Sequence, residues 1–527
     1  MVGIPDRTGR VDVKLRDIAE IVGGELHDVD DPEVTVTGTV EFDSRRIGPG
    51  SLFVALPGER VDGHDFASAA IAAGAVAVLA ARPVGVPAIV VPALSADDSS
   101  TNSLALTHDS DGSGAAVLAA LAALAAAHVR RLVAAGGLTV VGVTGSSGKT
   151  STKDLLAAVL APLGPVVAPP GSFNNELGHP WTALQAGPDT RFLVLEMSAR
   201  GPGHIAALAR VAPPSIGVVL NVGTAHLGEF GSREAIAQTK GELVEALPET
   251  GLAVLNADDP KVGAMASRTT ARVVTVGHST GAQIRAGATT LDEQARASFT
   301  LHTPLGDRQV TLAVHGEHQV GNALSAAAVA LECGADLDTL VTALGGARAA
   351  SARRMDVRTS AAGVTVINDS YNANPDSMRA ALKALVTMAR SGDTPRRSWA
   401  VLGEMAELGP ESVVEHDGIG RLAVRLDVDR LIVVGTGRPS RGMHQGAVME
   451  GSWGEESVLV PDIEAAVELL AAEVGAGDVV LVKASQSVGL WAVAEQLLAE
   501  GEKNAGAGTP APGGAGAADG VSTEAVR

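Results

Sequence analysis

Gly142-Val143-Thr144-Gly145-Ser146-Ser147-Gly148-Lys149-Thr150 is the stretch on which the fold turns. Leu138-Thr139-Val140-Val141 ahead of it is β-rich, and Leu155, Leu156, Val159 and Leu160 behind it recur at helical spacing. A glycine-rich turn between a strand and a helix lets backbone N–H groups converge on phosphate oxygens at the positive end of the helix. Lys149 then reaches the β- and γ-phosphates, and the Thr150 hydroxyl is placed to ligate magnesium. The expected cradle is Gly145, Ser146, Ser147, Gly148, Lys149, Thr150 and Ser151. It departs from the strict Walker pattern at Val143, where a glycine is usual. The bland alternative is a Gly/Ser turn without a ligand, and Gly-Lys-Thr in this context favours the phosphate.

Composition bounds the rest. At about 150 residues per domain, 527 residues call for three or so. With 40 basic against 60 acidic side chains the net charge is −20, which argues against a nucleic-acid surface. Any anionic substrate must therefore meet local basic clusters. Cys333 is the single cysteine, so there is no disulfide framework and a reducing, cytoplasmic setting is expected. Its apolar, helical surroundings suit a buried, inert thiol. Met1 to Arg10 contains Asp6 and no apolar core, so no signal peptide is read there. The longest apolar run, Ala115 to Ala127, is alanine-dominated, stops at His128 and is too short to span a bilayer.

Punctuation divides the chain. Residues 1–91 read as a small α/β unit, with strands at Val34–Val40, Leu52–Leu56 and Ala75–Leu79 around a helix near Asp65–Ala73. A polar linker covers 92–114. A central domain spans 115–349, in which short apolar strands alternate with helices over 137–345. Gly and Ala near 345–352 mark a joint to a third domain, 350–500, with strands at Val364–Asn368, Trp399–Gly403, Leu431–Gly435 and Val479–Lys483. Residues 501–527 are a Gly/Ala/Pro tail read as disordered. Alternation of strand and helix implies parallel sheets covered by helices on both faces.

Ligands in open α/β sheets sit at the carboxyl ends of the strands. Arg191-Phe192-Leu193-Val194-Leu195-Glu196 ends there in a carboxylate suited to magnesium, directly or through water, although a solvated glutamate is as common. Beyond the strand Ile216 to Asn221 comes His226, and a lone histidine there is more often structural. Lys240 lies on the following helix, Ser232 to Leu247, and by itself reads as a surface lysine.

Taken together, the loop variant, Asn174-Asn175-Glu176-Leu177-Gly178, Glu196-Met197-Ser198-Ala199-Arg200, the segment 221–232 and Lys240-Gly241-Glu242 resemble the Mur ligase superfamily. The resemblance covers residues 12–500 or so and implies three α/β domains: an N-terminal domain for the UDP-linked substrate, a central P-loop parallel-sheet ATPase and a C-terminal Rossmann-like doubly wound domain. It implies ATP and Mg2+ as cofactors, Lys149, Glu196, His226 and Lys240 as catalytic residues, and Thr150, Glu196, His226 and carbamylated Lys240 as metal ligands. An ammonium beside magnesium would be repelled, whereas a carbamate is an anionic oxygen donor. The resemblance further gives His318, Asn322, Arg354 and Asp369 to the nucleotide; residue spacing adds only that His318 and Asn322 share a helix face.

Asp369 to Ser377, Leu402-Gly403-Glu404-Met405-Ala406-Glu407-Leu408-Gly409 and His416 are most similar to the member that joins D-alanyl-D-alanine to UDP-N-acetylmuramoyl-tripeptide. Asp43-Ser44-Arg45, Pro49 to Leu56 and Asp62 to Phe66 agree with a UDP-muramoyl-peptide domain. On that basis Ser44, Arg45, Asn174, Asn175, Asn372, Asn374 and Lys483 are the substrate candidates, Arg45 and Arg46 supply local positive charge, and a monomer without nucleic-acid partners is expected. Gln486 stands where arginine is usual, and Ser198 where glycine is frequent. The preceding ligase of the superfamily carries Asp-Asn-Pro-Arg, which is absent here. Rivals from other classes are a P-loop kinase, a motor or transport ATPase and a non-catalytic nucleotide-binding subunit; no transporter signature or repeat supports a motor, and Lys149, Glu196 and Lys240, which a dead homologue would be expected to lose, all remain.

Overall fold

The computed structural model describes residues 11–58, 61–94, 109, 111–224, 227–451 and 456–506. The expectations placed on His226, on most of the 92–114 linker and on the tail beyond Gly506 fall outside these residues.

Thr139–Thr144 sits inside a 10-stranded sheet, flanked by Phe192–Glu196 and Ile216–Val219, with Val166–Val167 beyond the first and Leu252–Asn256 and Arg272–Gly277 beyond the second. All these pairings are parallel. Their side chains are apolar toward both faces because helices cover both faces. The helices Lys149–Leu160, Gln319–Glu332 and Leu337–Gly346 close one face, and Ile236, Leu243 and Val244 of the helix Arg233–Glu245 pack on the other. Each fully buried Val, Leu or Ile contributes about 1.5–3 kcal/mol.

The expected parallel alternation over 137–345 stops at Ile284–Ala286. Arg296–Thr303 and Gly306–His315 form an antiparallel hairpin instead. Ala297, Phe299 and Leu301 are buried every second residue while their neighbours are not, a period-two pattern that leaves one face uncovered. Only two residues, Pro304 and Leu305, join the paired Thr303 and Gly306, too few for a parallel crossover.

The N-terminal sheet is 5-stranded, in the order Glu25–His27, Ala88–Val90, Ala75–Ala80, Ser51–Val54, Val40–Glu41. The strand expected over Val34–Val40 is split: Thr35–Val36 pairs with Val13–Lys14, and Val40–Glu41 with Ser51–Val54. Gly38 makes the break, since a Cβ there would lie 2.7 Å from Pro49 O and Ser51 N.

The alanine-rich run is part of a longer helix, Ser113–Ala135, which at 23 residues is long and apolar enough to cross a membrane by length and composition. The expectation that this segment is too short is thus corrected. In this fold Val117, Leu121, Leu124 and Val129 are buried in one core with Leu15, Ile18, Leu52 and Ile89 of the first domain and Leu193 and Leu195 of the central sheet. His128 does not end the helix; its buried ring bonds Ala186 O at 2.7 Å.

In the C-terminal domain a 6-stranded sheet runs Asp356–Thr359, Thr365–Asn368, Val479–Lys483, Ser398–Leu402, Arg430–Val434, Ser457–Val460, antiparallel only at its first pair. Separate cores cover its two faces, as a doubly wound sheet requires. The last helix, Trp491–Gly506, continues past the boundary placed at 500.

Candidate active site

The central and C-terminal sheets point the carboxyl ends of their strands at each other. Between them lies a cleft of about 540 Å³, lined on one side by Ser146 to Ser151, Ser172, Asn174, Asn175 and Arg200 and on the other by Arg354, Tyr371, Asn372, Asn374, Glu407 and Gln486.

Gly148 caps the helix Lys149–Leu160 at φ 83°, a left-handed conformation glycine adopts freely. A Cβ on it would also lie 2.7 Å from Asn322 Oδ1, so the sequence-chosen Asn322 packs directly under the loop. Lys149 Nζ donates to Gly145 O at 2.8 Å. Enclosure lowers the Lys149 ammonium to about 8; Glu196 pulls it upward and Arg354 downward. Asn221 is a residue the sequence reading quoted without a role. Its Oδ1 accepts from Ser147 N at 3.0 Å and its Nδ2 donates to Ser147 O at 3.2 Å, while Gly223 N donates to Ser146 Oγ at 2.9 Å. The recoverable signal was Asn-x-Gly at a strand end.

Glu196 comes to the loop as expected. Its Oε2 accepts from Thr150 Oγ1 at 3.1 Å and Ser172 Oγ at 3.0 Å, whereas Oε1 is buried with no partner among the described residues. Lys240 is 4% exposed rather than a surface lysine. Burial, and then the nearby Lys149 charge, hold its pKa well below the ordinary lysine value, which favours the neutral amine. Gly241 beside it has a non-local reason. The Arg268 guanidinium lies where a Cβ would go, donating to Ala237 O at 3.2 Å and Gln238 O at 2.8 Å. No cluster of three or more His, Cys, Asp or Glu stands together among the described residues.

From the C-terminal domain, Arg354 Nη2 approaches Thr150 Oγ1 at 3.4 Å, and its guanidinium stacks 4.2 Å over the Tyr371 ring. Asp369 and Lys483 do not line the cleft. Lys483, expected to face the substrate, is 1% exposed, with Nζ donating to Asp369 Oδ2 at 2.6 Å and Asn372 O at 2.8 Å. Asp369 Oδ1 in turn accepts from Met355 N at 3.0 Å. Asn374 caps the helix Pro375–Arg390 and donates to Ser146 O at 3.4 Å across the domain boundary. His318 precedes the helix Gln319–Glu332 outside the cleft lining. His416 is structural: its Nε2 accepts from Met405 N at 2.9 Å.

Ser44 and Arg45 are on the first domain, away from the cleft lining. Arg45 is paired with Asp43 at 2.9 and 2.8 Å, and this pairing holds the Asp43 carboxyl down at about 2. Arg46 stacks 5.3 Å from the Trp181 ring, whose Nε1 donates to buried Glu41 at 3.2 Å, joining the first domain to the central one.

The closed arrangement depends on two backbone approaches. Asp376 Oδ2 accepts from Thr224 N at 3.3 Å and fills the space where a Gly223 Cβ would be, and a Gly228 Cβ would lie 2.6 Å from Gly409 N. Gly223→Ala is therefore expected to hold the domains apart and to lower kcat about tenfold or more with little change in melting temperature. Steady-state kinetics beside thermal melting checks this.

A phosphate-type loop on one parallel sheet, facing the strand ends of a second across a cleft, defines a nucleotide-dependent enzyme. The Mur ligase middle-domain profile matches residues 143–330, the Mur ligase glutamate ligase domain 353–486, and the Mur ligase family catalytic domain 38–126. The chain belongs to the Mur ligase family. It is 62% identical over 506 residues, 93% of this chain and 98% of the other, to the UDP-N-acetylmuramoyl-tripeptide–D-alanyl-D-alanine ligase of Mycobacterium bovis. It is 36% identical over 426 residues, 81% of this chain and 86% of the other, to the Escherichia coli protein of the same name. Among solved structures it is similar to MurF of Acinetobacter baumannii (TM-score 0.77, 28% identity, 93% and 100% covered) and to MurF ligase of Thermotoga maritima in complex with ADP (TM-score 0.70, 30% identity, 88% and 98% covered).

Proposed function

We infer that this chain joins D-alanyl-D-alanine to UDP-N-acetylmuramoyl-tripeptide with ATP, yielding ADP and phosphate in peptidoglycan precursor synthesis. The observation that carries the reading is the cleft itself, in which Lys149 and Thr150, the latter backed by Glu196, face Arg354 and Asn374, in a chain 62% identical to a ligase of that name.

A carboxylate is a poor acyl donor because its leaving group would be an oxide. The tripeptide carboxylate attacks the γ-phosphorus, the bond from that phosphorus to the β–γ bridging oxygen breaks, and ADP leaves an acyl phosphate. Lys149 and Arg354 offset charge on the transferring phosphoryl. The dipeptide amine, whose pKa is near 8, then attacks the acyl carbon as a free base, phosphate departs and the ammonium proton is lost to solvent. Domain closure supplies the alignment.

Thr150 Oγ1, the partnerless Glu196 Oε1 and Lys240 offer the hard oxygen donors magnesium prefers once Lys240 carries a carbamate. Magnesium held there would neutralise phosphate charge. Free-base Lys240 is the form that adds CO2, releasing one proton. His226 completes the expected donor set and is outside the described residues. His318, Asn322 and Asp369 support the nucleotide side, Asn174, Asn175 and Asn372 line the peptide side, and Ser44 with Arg45 holds the uridine end. The reading keeps three domains, 1–91 for the UDP-linked substrate, 115–349 for ATP and 350–500 closing over it, and a chain that works in the cytoplasm, where ATP is available, as a monomer.

Competition among D-Ala-D-Ala, D-Ala-D-Ser, D-Ala-D-lactate and free diamino acids, read by product mass, tests the assignment. D-Ala-D-Ala on the tripeptide is the expected product. UDP-N-acetylmuramoyl-dipeptide is expected to be a poor acceptor, because its shorter peptide cannot reach the γ-phosphate while the uridine end is anchored. Preferred transfer of a diamino acid to the dipeptide would overturn it.

A further inference from the structure

One buried polar cluster beneath the cleft has no part in the chemistry above. Lys153, Asp154 and Ser351 are 3%, 7% and 3% exposed. Asp154 Oδ2 accepts from Ser351 N at 2.9 Å and Ala350 N at 3.2 Å, and its Oδ1 accepts from Ser351 Oγ at 3.1 Å and Lys153 Nζ at 2.6 Å. Lys153 Nζ also donates to Pro169 O at 2.7 Å, and Gly171 N donates to Ser351 Oγ at 3.0 Å. Three segments meet here: the phosphate-loop helix, the loop 169–171 and the joint between the central and C-terminal domains.

Each of these segments continues directly into the cleft. Thr150 lies one helical turn before Asp154 on the same face, about 6 Å along the axis. The joint runs beside that face, so that Ser351 meets Asp154 and Arg354, three residues on, meets Thr150. The loop passes from Gly171 to Ser172, whose hydroxyl donates to Glu196 at 3.0 Å. Arg354 is itself held between two non-glycine residues with left-handed backbone, Arg353 at φ 60° and Met355 at φ 49°. Such a conformation persists only where the surroundings over-determine it. On the far side Arg353 stacks 4.2 Å over Trp491, and Met355 N is held by Asp369. On the near side the hold is Asp154.

We propose that Asp154 is a positioning residue, which through Ser351 sets the place of Arg354 over the phosphate loop and so couples the joint between the domains to phosphoryl transfer. This rests on the reading of Arg354 as a nucleotide-facing residue. Asp154 touches no substrate. Its removal leaves the backbone of the phosphate loop, buttressed by Asn221, in place, so ATP still binds while its γ-phosphate loses an aligned guanidinium.

The test is a kinetic double-mutant cycle on the full-length enzyme with ATP, tripeptide and dipeptide. Asp154→Ala is expected to lower kcat about 10²-fold with KM for ATP little changed. Asp154→Asn, which keeps one acceptor oxygen, is expected to recover part of the loss, and Ser351→Ala to show a smaller fall of the same kind. Asp154→Ala combined with Arg354→Ala is expected to be no slower than Arg354→Ala alone. Multiplying effects in the double variant would overturn the proposal, as would unchanged kcat in Asp154→Ala. Should Asp154→Ala fail to fold, the same cycle with Ser351→Ala decides between these outcomes. If Arg354→Ala alone left kcat unchanged, the reading of Arg354 would fall, which is a separate result.

Discussion

Lys240→Ala is expected to abolish ligation, with a loss of about 10³-fold or more, while melting temperature and affinity for the UDP-linked substrate stay near those of the unaltered enzyme. The side chain is buried within electrostatic reach of Lys149, and no ion pair to it occurs among the described residues. An ammonium there would add to the positive charge of Lys149. Burial instead favours the free amine, the form that takes up CO2, and the resulting carbamate brings a negative charge to a site of cations. Two measurements follow. Short carboxylates such as acetate or formate should restore part of the activity to Lys240→Ala, and the unaltered enzyme should lose activity when stripped of CO2 at mildly acidic pH, where carbamates decompose. A fully active enzyme whose intact mass shows unmodified Lys240 would refute the carbamate.

Lys149→Met is expected to cost about 10³-fold in kcat/KM for ATP, because the γ-phosphoryl then develops charge without its nearest cation. The sign of the pH dependence follows from the lowered pKa. An ammonium held to about 8 is mostly protonated near neutrality and becomes neutral as the pH rises through that value, so kcat/KM for ATP in the unaltered enzyme should fall on the alkaline side of about 8. Lys149→Arg keeps its charge throughout and should lack that alkaline limb, at a lower rate because the guanidinium is a planar fork rather than a point donor. A limb that stays in Lys149→Arg would assign the titration to another group.

Much of this site was legible in the chain. The phosphate loop, Glu196 at its strand end, the strands of the C-terminal sheet and the joint near 350 all follow from local signals: apolar runs, glycine spacing, a carboxylate after a β-rich segment. Other features were legible only in part. Lys240 read as a surface residue until motifs elsewhere in the chain gave it company, since neither its helix spacing nor its neighbours announce burial. The hairpin 296–315 is hard to tell from further parallel strand in sequence, because its period-two pattern is short and lies among runs of helix and strand. The apolar run of helix Ser113–Ala135 is interrupted in sequence at His128, Arg130 and Arg131, and the fold accommodates His128 at Ala186 O and Arg131 at the carbonyls of Val11 and Asp12.

What the sequence determined by itself is the set of elements and the chemical kind of each group at their ends, because backbone propensity, side-chain periodicity and turn chemistry act over a few residues. Which groups meet was decided by tertiary structure. Asn374 reaches Ser146 over a separation of 228 residues, Ser351 reaches Asp154 over 197, and Lys483 turns away from the cleft to hold Asp369, 114 residues earlier. These contacts depend on strand order and on the angle at which two sheets face each other. Both are set by how whole apolar faces pack, and no local pattern carries that information.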